Sequence, residues 1–396
     1  MTDAPVALAA GALRFLPPMN WQALHDAYPA NHGHIWLNNA GTTPPGQHII
    51  DRMSRHFAQL GASGPEQTEP GLAVVSRRIK THLSQLLKAN PEDIALIHNT
   101  AEGMSMLSLG LTLEPSDEIL LLENEYPSNV YPWDVWREKG VAITFVPAGH
   151  RPEEFLNNLK ERITPRTRAA ALSMVHWCTG MPFPVEAIAE LCHEKGILLA
   201  LDGSQGVGQV PLDFSKCAPM ALCFSAWKWL LGPLGMGVLV ADKATVARLK
   251  SPFRGTDSVK NPASYLPYQT EQKVTAERYL YSTANTNDWV YFDESLEFLA
   301  RIGFPAIQAR ILELANHLWQ PLKAAGFTSG YEHDAPQSGI LCVEKPGLDM
   351  SKVAEHLVSK GVVARVRLGR LRLAPHVYLL EQQLDRVIEL LLDQAR

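Results

Sequence analysis

Between residues 90 and 242, short runs of apolar residues alternate with longer segments in which apolar residues recur every three or four positions. The short runs have no polar face, so they predict strands buried on both sides. The clearest helical segment, PVEAIAELCHEKG, begins after a proline and ends at Gly196. Buried strands separated by helices predict an α/β domain with a mainly parallel, seven-stranded sheet. The predicted strands are IALIH, EILLLE, VAITFVP, RAAALSMV, ILLALD, ALCFSA and MGVLVA.

The pattern changes after residue 285, where two long helical segments precede short strands and a final helix, LEQQLDRVIELLLDQ. This order predicts a smaller C-terminal α+β domain. We therefore divide the chain into an N-terminal arm (1–30), a large domain (31–285) and a small domain (286–396). The Pro- and Gly-bearing stretch 251–270 is predicted to be a long ordered loop, a feature that is often functional.

Composition narrows the range of functions. A chain of 396 residues is long enough for two domains, and a net charge of −5 argues against general nucleic-acid binding. No apolar run has membrane-spanning length, and no basic residue precedes the apolar stretch near the N-terminus, so a cytoplasmic protein is expected. The five cysteines form no CxxC pair, so neither a disulfide framework nor a metal site is predicted.

One lysine stands in an unusual setting. Lys228 lies within FSAWKWLLGPLGMG, among bulky apolar residues and glycines. Its stem could pack on the core while the ammonium group reaches water. Alternatively, the amine is kept partly desolvated so that it can act as a nucleophile.

Three polar features follow predicted strands of the parallel sheet. Asp202 ends ILLALD, the helix start NTAEG follows IALIH, and Lys228 follows ALCFSA. Ligands of open parallel sheets bind beyond the carboxyl ends of the strands, so these groups are expected to converge. Each alone has an ordinary interpretation as a cap or turn, and the glycine stretches match neither common nucleotide-binding motif. Together they match the needs of pyridoxal 5′-phosphate: a lysine, an acid for the ring nitrogen and a helix N-terminus for the phosphate.

The segment ALDGSQGVGQVPLDF…FSAWKWLLGPLGMGVL resembles the signature region of the class V aminotransferases, a fold-type-I group that includes cysteine desulfurases and isopenicillin N epimerase. The resemblance continues through WLNNAGTTPP, HNTAEG, NEYPSNVYPW, YSTANTN and GRLRLAPHVY, and so covers nearly the whole chain in order. It implies a pyridoxal-phosphate enzyme with the fold described above.

The resemblance also implies roles for individual residues. Lys228 matches the lysine that forms the Schiff base, Asp202 the partner of the ring nitrogen, and Gln205 the residue beside the phenolic oxygen. Tyr126 matches the ring that stacks on the cofactor. Four positions match phosphate contacts: Thr100, the amide of Ala101, Ser225 and Trp227, the last replacing the family's usual histidine.

A further match concerns the partner subunit and the substrate. Thr283, in YSTANTN, matches the residue that reaches the phosphate of the neighbouring subunit, which implies a homodimer with shared active sites. Arg372, in RLAPH, matches the arginine that binds the α-carboxylate of an amino-acid substrate. The nearby arginines at 365, 367 and 370 are expected to lie at the surface or behind the site.

Two departures bear on the reaction. Desulfurases carry a catalytic cysteine on a loop ahead of this arginine, whereas residues 361–372 contain neither a cysteine nor room for such a loop. Trp177 stands where desulfurases usually have an asparagine. Cys178 is the one cysteine expected near the cofactor, as an ordinary buried thiol.

The resemblance favours a β-eliminating C–S lyase acting on a cysteine-derived substrate. Epimerase and aminotransferase are the alternatives, because all three share the removal of the Cα proton. A synthase or a non-catalytic cofactor-binding protein is more remote, and the intact Lys228, Asp202 and Arg372 argue against the latter.

Overall fold

A computed structural model of the protein describes residues 20–68 and 70–395. The predicted N-terminal arm, residues 1–30, therefore lies largely outside the described residues. The helices are α1 Trp21–Asp26, α2 Gln47–Ser63, α3 Leu72–Leu87, α4 Thr100–Gly110, α5 Tyr131–Asp134, α6 Pro152–Arg162, α7 Val185–Glu194, α8 Phe214–Cys217, α9 Lys243–Arg248, α10 Thr286–Ile302, α11 Phe304–Ala324, α12 Met350–Ser359 and α13 Glu381–Gln394. The strands are β1 Ile35–Trp36, β2 Ile94–Ile97, β3 Glu118–Leu122, β4 Ala142–Val146, β5 Thr167–Ser173, β6 Leu198–Asp202, β7 Ala221–Ser225, β8 Gly237–Ala241, β9 Thr328–Ser329, β10 Leu341–Glu344, β11 Val362–Val363, β12 Arg365–Arg367 and β13 Arg370–Leu373.

The central sheet has seven strands in the order β2-β8-β7-β6-β5-β3-β4, which confirms the predicted fold class. Strand β8 runs antiparallel to both of its neighbours, and the other strands are parallel to one another. All seven apolar runs of the sequence form strands of this sheet. The carboxyl ends of the six parallel strands therefore meet at one edge.

The core explains why these strands show no polar face. Along β2, Ile94 and Leu96 point into one hydrophobic cluster, while Ala95 and Ile97 point into a second on the opposite face. Helix α4 covers the second face, with Met104 and Leu107 fully buried in it. Alternate residues of a strand point to opposite faces, so a sheet covered on both sides requires continuous apolar runs.

The small domain is built on a four-stranded antiparallel sheet in the order β12-β13-β10-β9, with α11, α12 and α13 packed beside it. Strand β1 pairs in parallel with β11, and the amide of Asn39 donates to the carbonyl of Ala374. The segment that follows the predicted arm thus joins the small domain. The domain boundary at residue 285 stays a prediction.

The predicted loop 251–270 contains one short 3-10 turn, Thr256–Ser258, and presents Tyr265 and Tyr268 to solvent. Among the described residues, no helix has the length and apolar character needed to cross a membrane.

Candidate active site

The residues that follow five of the strands line a single cavity of about 380 Å³ at the carboxyl edge of the sheet. Helix α4 begins there after β2, and Ser173, Asp202 and Ser225 are the last residues of β5, β6 and β7. Polar groups converge there because parallel strands all end at one edge. The main functional side chains of the lining are Glu125, Tyr126, Trp177, Gln205, Trp227, Lys228, Arg367 and Arg372.

Lys228 and Asp202 form the electrostatic centre of the cavity. Burial lowers the pKa of the Lys228 amine to about 8, with the Asp202 carboxylate acting in the opposite direction. Burial raises the pKa of Asp202, against the effects of Lys228 and of the Ser204 amide, which donates to Asp202 Oδ1 at 2.8 Å. The Thr43 hydroxyl donates to the Lys228 carbonyl at 2.9 Å and anchors its backbone. Lys228 is thus a lysine held inside the cavity, as the second interpretation of its sequence setting required.

The N-terminus of α4 opens into the cavity beside a buried hydroxyl cluster. Asn99 caps the helix by accepting from the Glu102 amide, and Thr100 and Ala101 of the first turn line the cavity. The Thr100 and Ser204 hydroxyls lie 2.8 Å apart. Ser225 Oγ is buried without a hydrogen-bond partner in the described part of the chain. Unpaired amides at a helix start, together with hydroxyl donors, are a binding site for an anion such as phosphate.

Close backbone packing creates this cradle. A Cβ on Gly237, the first residue of β8, would lie 2.8 Å from Cα of Asn99. Only glycine allows the antiparallel strand to approach the start of α4 this closely. Any side chain at this position would push the capping residue out of place.

Two aromatic rings form the opposite wall. The Lys228 amine lies 5.7 Å from the centre of the Tyr126 ring, and Tyr126 is 44% exposed. Trp177 meets Tyr126 edge to face, with ring centroids 5.5 Å apart, and its indole donates to the Asn124 carbonyl. A planar ligand between Tyr126 and the strand ends would find an aromatic face in place.

The Gln205 side chain is held from both ends. Its amide donates to the Ala40 carbonyl at 2.9 Å, and its oxygen accepts from the Trp229 indole at 3.1 Å. This bond fixes Gln205 to the segment of Ala40 and Gly41, which also lines the cavity. The side chain of Trp227 lines the cavity next to Lys228.

Arg372, on β13, reaches the cavity from the small domain and is 3% exposed. One nitrogen donates to the Trp177 carbonyl at 2.8 Å, while Nε is buried without a partner within the described residues. Burial, reinforced by Arg367, lowers the pKa of Arg372 to about 10, so the group remains cationic at neutral pH. Arg370 instead forms an ion pair with Glu344, as expected of a residue behind the site. Arg367 was predicted to lie at the surface or behind the site, and this prediction is wrong, because Arg367 lines the cavity.

No cysteine among the described residues lines the cavity. All five are free thiols and buried. The sulfur of Cys178 lies 3.7 Å from that of Cys342 and 3.5 Å from the carbonyl oxygen of Arg367. In the described ranges, no group of three or more histidines, cysteines or acids is arranged to hold a metal.

The class-V aminotransferase family model matches residues 35–383, which is most of the chain. The chain belongs to the class V aminotransferases. Members of this family are enzymes that use pyridoxal 5′-phosphate, so the protein is a pyridoxal-phosphate-dependent enzyme.

Individual class V relatives are distant. A probable cysteine desulfurase of Mycolicibacterium paratuberculosis is 26% identical over 69% of this chain, which spans only 41% of that protein. Isopenicillin N epimerase of Streptomyces clavuligerus is 26% identical over 90% of this chain and 93% of its own length. A solved complex of the cystine C–S lyase C-DES with cysteine persulfide superposes with a TM-score of 0.85 at 20% identity, covering 93% and 99% of the two chains. This last likeness shows that the fold is shared.

The cavity fits the cofactor of class V aminotransferases. The free Ser225 hydroxyl and the first turn of α4 supply donors for a phosphate, and Tyr126 supplies a ring face. Asp202 is the buried carboxylate that a protonated ring nitrogen needs, and Lys228 is the amine within the same cavity. The donor set therefore agrees with the chemistry of pyridoxal phosphate.

Thr283 does not line this cavity in its own chain. It is exposed and lies in a neighbouring cleft with Glu102, Tyr281 and Asp288. Gly235 borders both the cleft and the cavity.

Glu125, which was not among the residues predicted from the sequence, is buried in the cavity wall. Burial, followed by the nearby Asp202 charge, raises the pKa of Glu125 to about 7. The Ser173 hydroxyl and the Tyr126 amide both donate to it. Ser173 pairs with Asp202 across β5 and β6, so Glu125 links the aromatic wall to the acid. Its position shortly after β3, like that of the other strand-end groups, is the signal that could have identified it.

We expect Glu125→Gln to change how stability depends on pH. Between about pH 4.5 and 7, the unfolded chain loses this proton while the folded chain retains it, so the carboxyl destabilises the fold progressively as pH rises. One pKa unit corresponds to about 1.4 kcal/mol, so the variant should gain about 2–3 kcal/mol relative to wild type between pH 5 and pH 8. Urea unfolding of cofactor-free protein measures this. Glu123→Gln, which removes an exposed carboxylate, is the matched control, and parallel curves for Glu125→Gln and wild type would contradict the prediction.

Proposed function

We propose that the protein is a β-eliminating lyase that breaks the C–S bond of a cysteine-derived amino acid. One observation carries the proposal: Lys228, Asp202 and Arg372 converge on a cavity that no cysteine of the described chain lines. This arrangement provides a base and a carboxylate-binding group without the thiol that desulfuration through an enzyme persulfide requires.

The cofactor-binding residues proposed from the sequence fit this cavity. Asp202 would hold the ring nitrogen, Gln205 the phenolic oxygen and Tyr126 one face of the ring. The phosphate would be bound by Thr100, the Ala101 amide, Ser225 and the Trp227 indole. When bound, pyridoxal phosphate supplies an electron sink that stabilises negative charge at the substrate Cα.

Residues of the protein itself bind the substrate and remove the proton from Cα. Arg372 binds the α-carboxylate through its free guanidinium edge, while its bond to the Trp177 carbonyl fixes its direction. Lys228, whose pKa near 8 makes the neutral amine accessible near physiological pH, takes the proton from Cα. Asp202 would favour a proton on the ring nitrogen, because a carboxylate beside that nitrogen stabilises its positive charge.

The outcome is set by the substituent at Cβ. When the Cβ–S bond breaks, sulfur leaves with the bonding electron pair and a proton, and the three-carbon remainder hydrolyses to pyruvate and ammonia. The protein need not accept sulfur. The name of the fold relative C-DES, a cystine C–S lyase, is in keeping with this proposal.

Epimerisation is the second candidate, favoured by the isopenicillin N epimerase that the chain matches over 93% of its length. It shares the removal of the Cα proton but returns a proton to the opposite face. Elimination and epimerisation therefore differ in product, and the same purified enzyme distinguishes them.

We expect purified holoenzyme to release pyruvate and ammonia from L-cysteine S-conjugates at equal rates, and Cys178→Ala to retain at least about half of the activity, since a buried thiol outside the cavity takes no part. Pyruvate is followed with a coupled dehydrogenase. Racemised substrate without pyruvate would establish epimerisation instead. Activity lost in Cys178→Ala, with a persulfide trapped on wild-type Cys178, would overturn the lyase mechanism.

A homodimer with shared active sites is also proposed. Leu234, at 67% exposure, lies next to Gly235 at the cavity mouth, and Tyr265 and Tyr268 are 73% and 88% exposed on the loop 251–270. Such apolar side chains support a protein interface. A cytoplasmic location is proposed as well, in keeping with a sequence whose five cysteines form no CxxC pair.

Shared sites predict complementation between two inactive variants. Thr283→Asp should repel the phosphate and Lys228→Ala should remove the base, so each variant alone is inactive. Mixed dimers would contain one intact site, so refolding the two together should restore roughly a quarter of wild-type activity. No recovery in a mixture that sedimentation identifies as dimeric would contradict the sharing, as would a fully active monomer.

A further inference from the structure

Four arginines point from one face of the hairpin formed by β12 and β13. The register pairs Arg365 with Arg372 and Arg367 with Arg370, and side chains of directly opposed residues lie on the same side of an antiparallel pair. The turn uses Leu368 and Gly369, both with positive φ (49° and 78°), so it is a tight two-residue connection. Its geometry fixes where Arg367 emerges.

These four side chains have different surroundings. Arg370 donates twice to Glu344 and is thereby neutralised. Arg365 is exposed at the edge of the sheet and donates to the Ala364 carbonyl. Arg367 and Arg372 both line the cavity of the active site.

Neither of the two cavity arginines has an acidic partner among the described residues. The side-chain hydrogen bond of Arg367 goes to the carbonyl of its neighbour Val366, at 2.9 Å. The cavity's two acids are engaged elsewhere, Glu125 with Ser173 and Asp202 with Ser204 and Lys228. Arg367 also acts on Arg372 as a like charge and disfavours its cationic form. Two uncompensated cations in one enclosed space repel each other unless a ligand brings negative charge.

An amino-acid substrate needs only one of them. A single carboxylate is satisfied by one guanidinium fork, and Arg372, nearly fully buried, is the group proposed for it. Arg367 is half-buried and lies directly beside the hairpin turn, opposite Arg370. Arg372 lies two pairs of residues farther from the turn, opposite Arg365. Both arginines line the cavity and Arg367 is the more exposed of the two, so Arg367 is the cation left to meet a second negative group of a substrate held by Arg372.

We propose that Arg367 forms a second anion subsite, and that the substrate carries a carboxylate at the far end of its sulfur substituent. This inference rests on the proposed function, because it defines the substrate class of the same site. The aromatic rings of Tyr126 and Trp177 line the cavity beside the arginines and suit the uncharged stem between the two carboxylates. The favoured substrates are thus S-conjugates with two carboxylates, one at each end.

Two ligands that differ in one charge test the subsite: S-(carboxymethyl)-L-cysteine and its neutral counterpart S-(carbamoylmethyl)-L-cysteine. Calorimetric Kd values are measured on full-length protein carrying Lys228→Ala to prevent turnover, and kcat/KM on the holoenzyme. Binding should favour the carboxymethyl compound by about tenfold or more, as expected for a charge-assisted contact. Arg367→Gln should abolish this preference while changing the affinity for the neutral compound by less than about twofold.

Arg365→Gln, which removes an exposed arginine two residues away on the same strand, is the matched control and should retain the preference. Equal affinities in the starting protein, or a preference that survives Arg367→Gln, would overturn the subsite. Its failure is distinct from failure of the lyase proposal. Pyruvate formed equally from both compounds refutes the subsite alone, whereas discrimination in Kd without pyruvate supports the subsite and refutes the lyase.

Discussion

Replacement of Lys228 by alanine is expected to lower the rate of turnover by roughly a thousandfold or more, because it removes both the group that holds the cofactor covalently and the proposed base. The fold should persist, since Lys228 makes no ion pair within the described residues and its burial carries a desolvation cost. Steady-state kinetics on cofactor-saturated protein, with thermal unfolding as the check on folding, measures the effect.

The control is Lys243→Ala, which removes a lysine whose side chain is 62% exposed and which is not part of the cavity lining. It should leave turnover within about twofold of wild type, as is usual for surface substitutions. A Lys228→Ala protein that folds and retains more than a tenth of the activity would place the base elsewhere.

Arg372→Ala is expected to separate substrate binding from cofactor binding. The truncation removes the buried cation that faces the α-carboxylate, so kcat/KM should fall by the equivalent of about 2–5 kcal/mol, or roughly thirty- to several-thousandfold. Cofactor affinity should change little, because within the described part of the chain Arg372 makes no hydrogen bond to a residue proposed to hold the phosphate or the ring; its one hydrogen bond goes to the Trp177 carbonyl. Fluorescence titration with pyridoxal phosphate and steady-state kinetics give the two quantities.

Arg370→Ala is the matched control on the same strand. Arg370 bonds to Glu344 rather than to the cavity, so its loss should lower kcat/KM by less than about fivefold. Similar losses in both variants would contradict the assignment of the carboxylate to Arg372. Loss of cofactor affinity in Arg372→Ala would contradict the separation of roles.

The strands of the central sheet were predictable because a strand buried on both faces must consist almost entirely of apolar residues. ALCFSA and MGVLVA read alike, however, although β7 runs with the parallel set and β8 runs against it. Burial on both faces produces an apolar run whatever the direction of the strand. The pairing of β1 with β11 was equally hidden, because two residues, Ile35 and Trp36, carry no periodicity.

The site residues that could be predicted are those that lie at the carboxyl end of a parallel strand. Asp202, Lys228 and the start of α4 converge for that reason. Arg367 was not distinguishable from Arg370, since both share a face of one hairpin. The difference is made by Glu344, 26 residues away in sequence, which neutralises one and not the other. Glu125 was missed because its burial and its hydrogen bond from Ser173, on a different strand, arise only in the folded chain.

The central claim is that Lys228 holds pyridoxal phosphate within this cavity. Borohydride reduction of the purified holoenzyme converts the lysine–cofactor linkage into a stable secondary amine, and peptide mapping by mass spectrometry then locates it. The label is expected on the peptide that contains Lys228, and it should be absent in Lys228→Ala. A label on any other lysine of the wild-type protein would contradict the account.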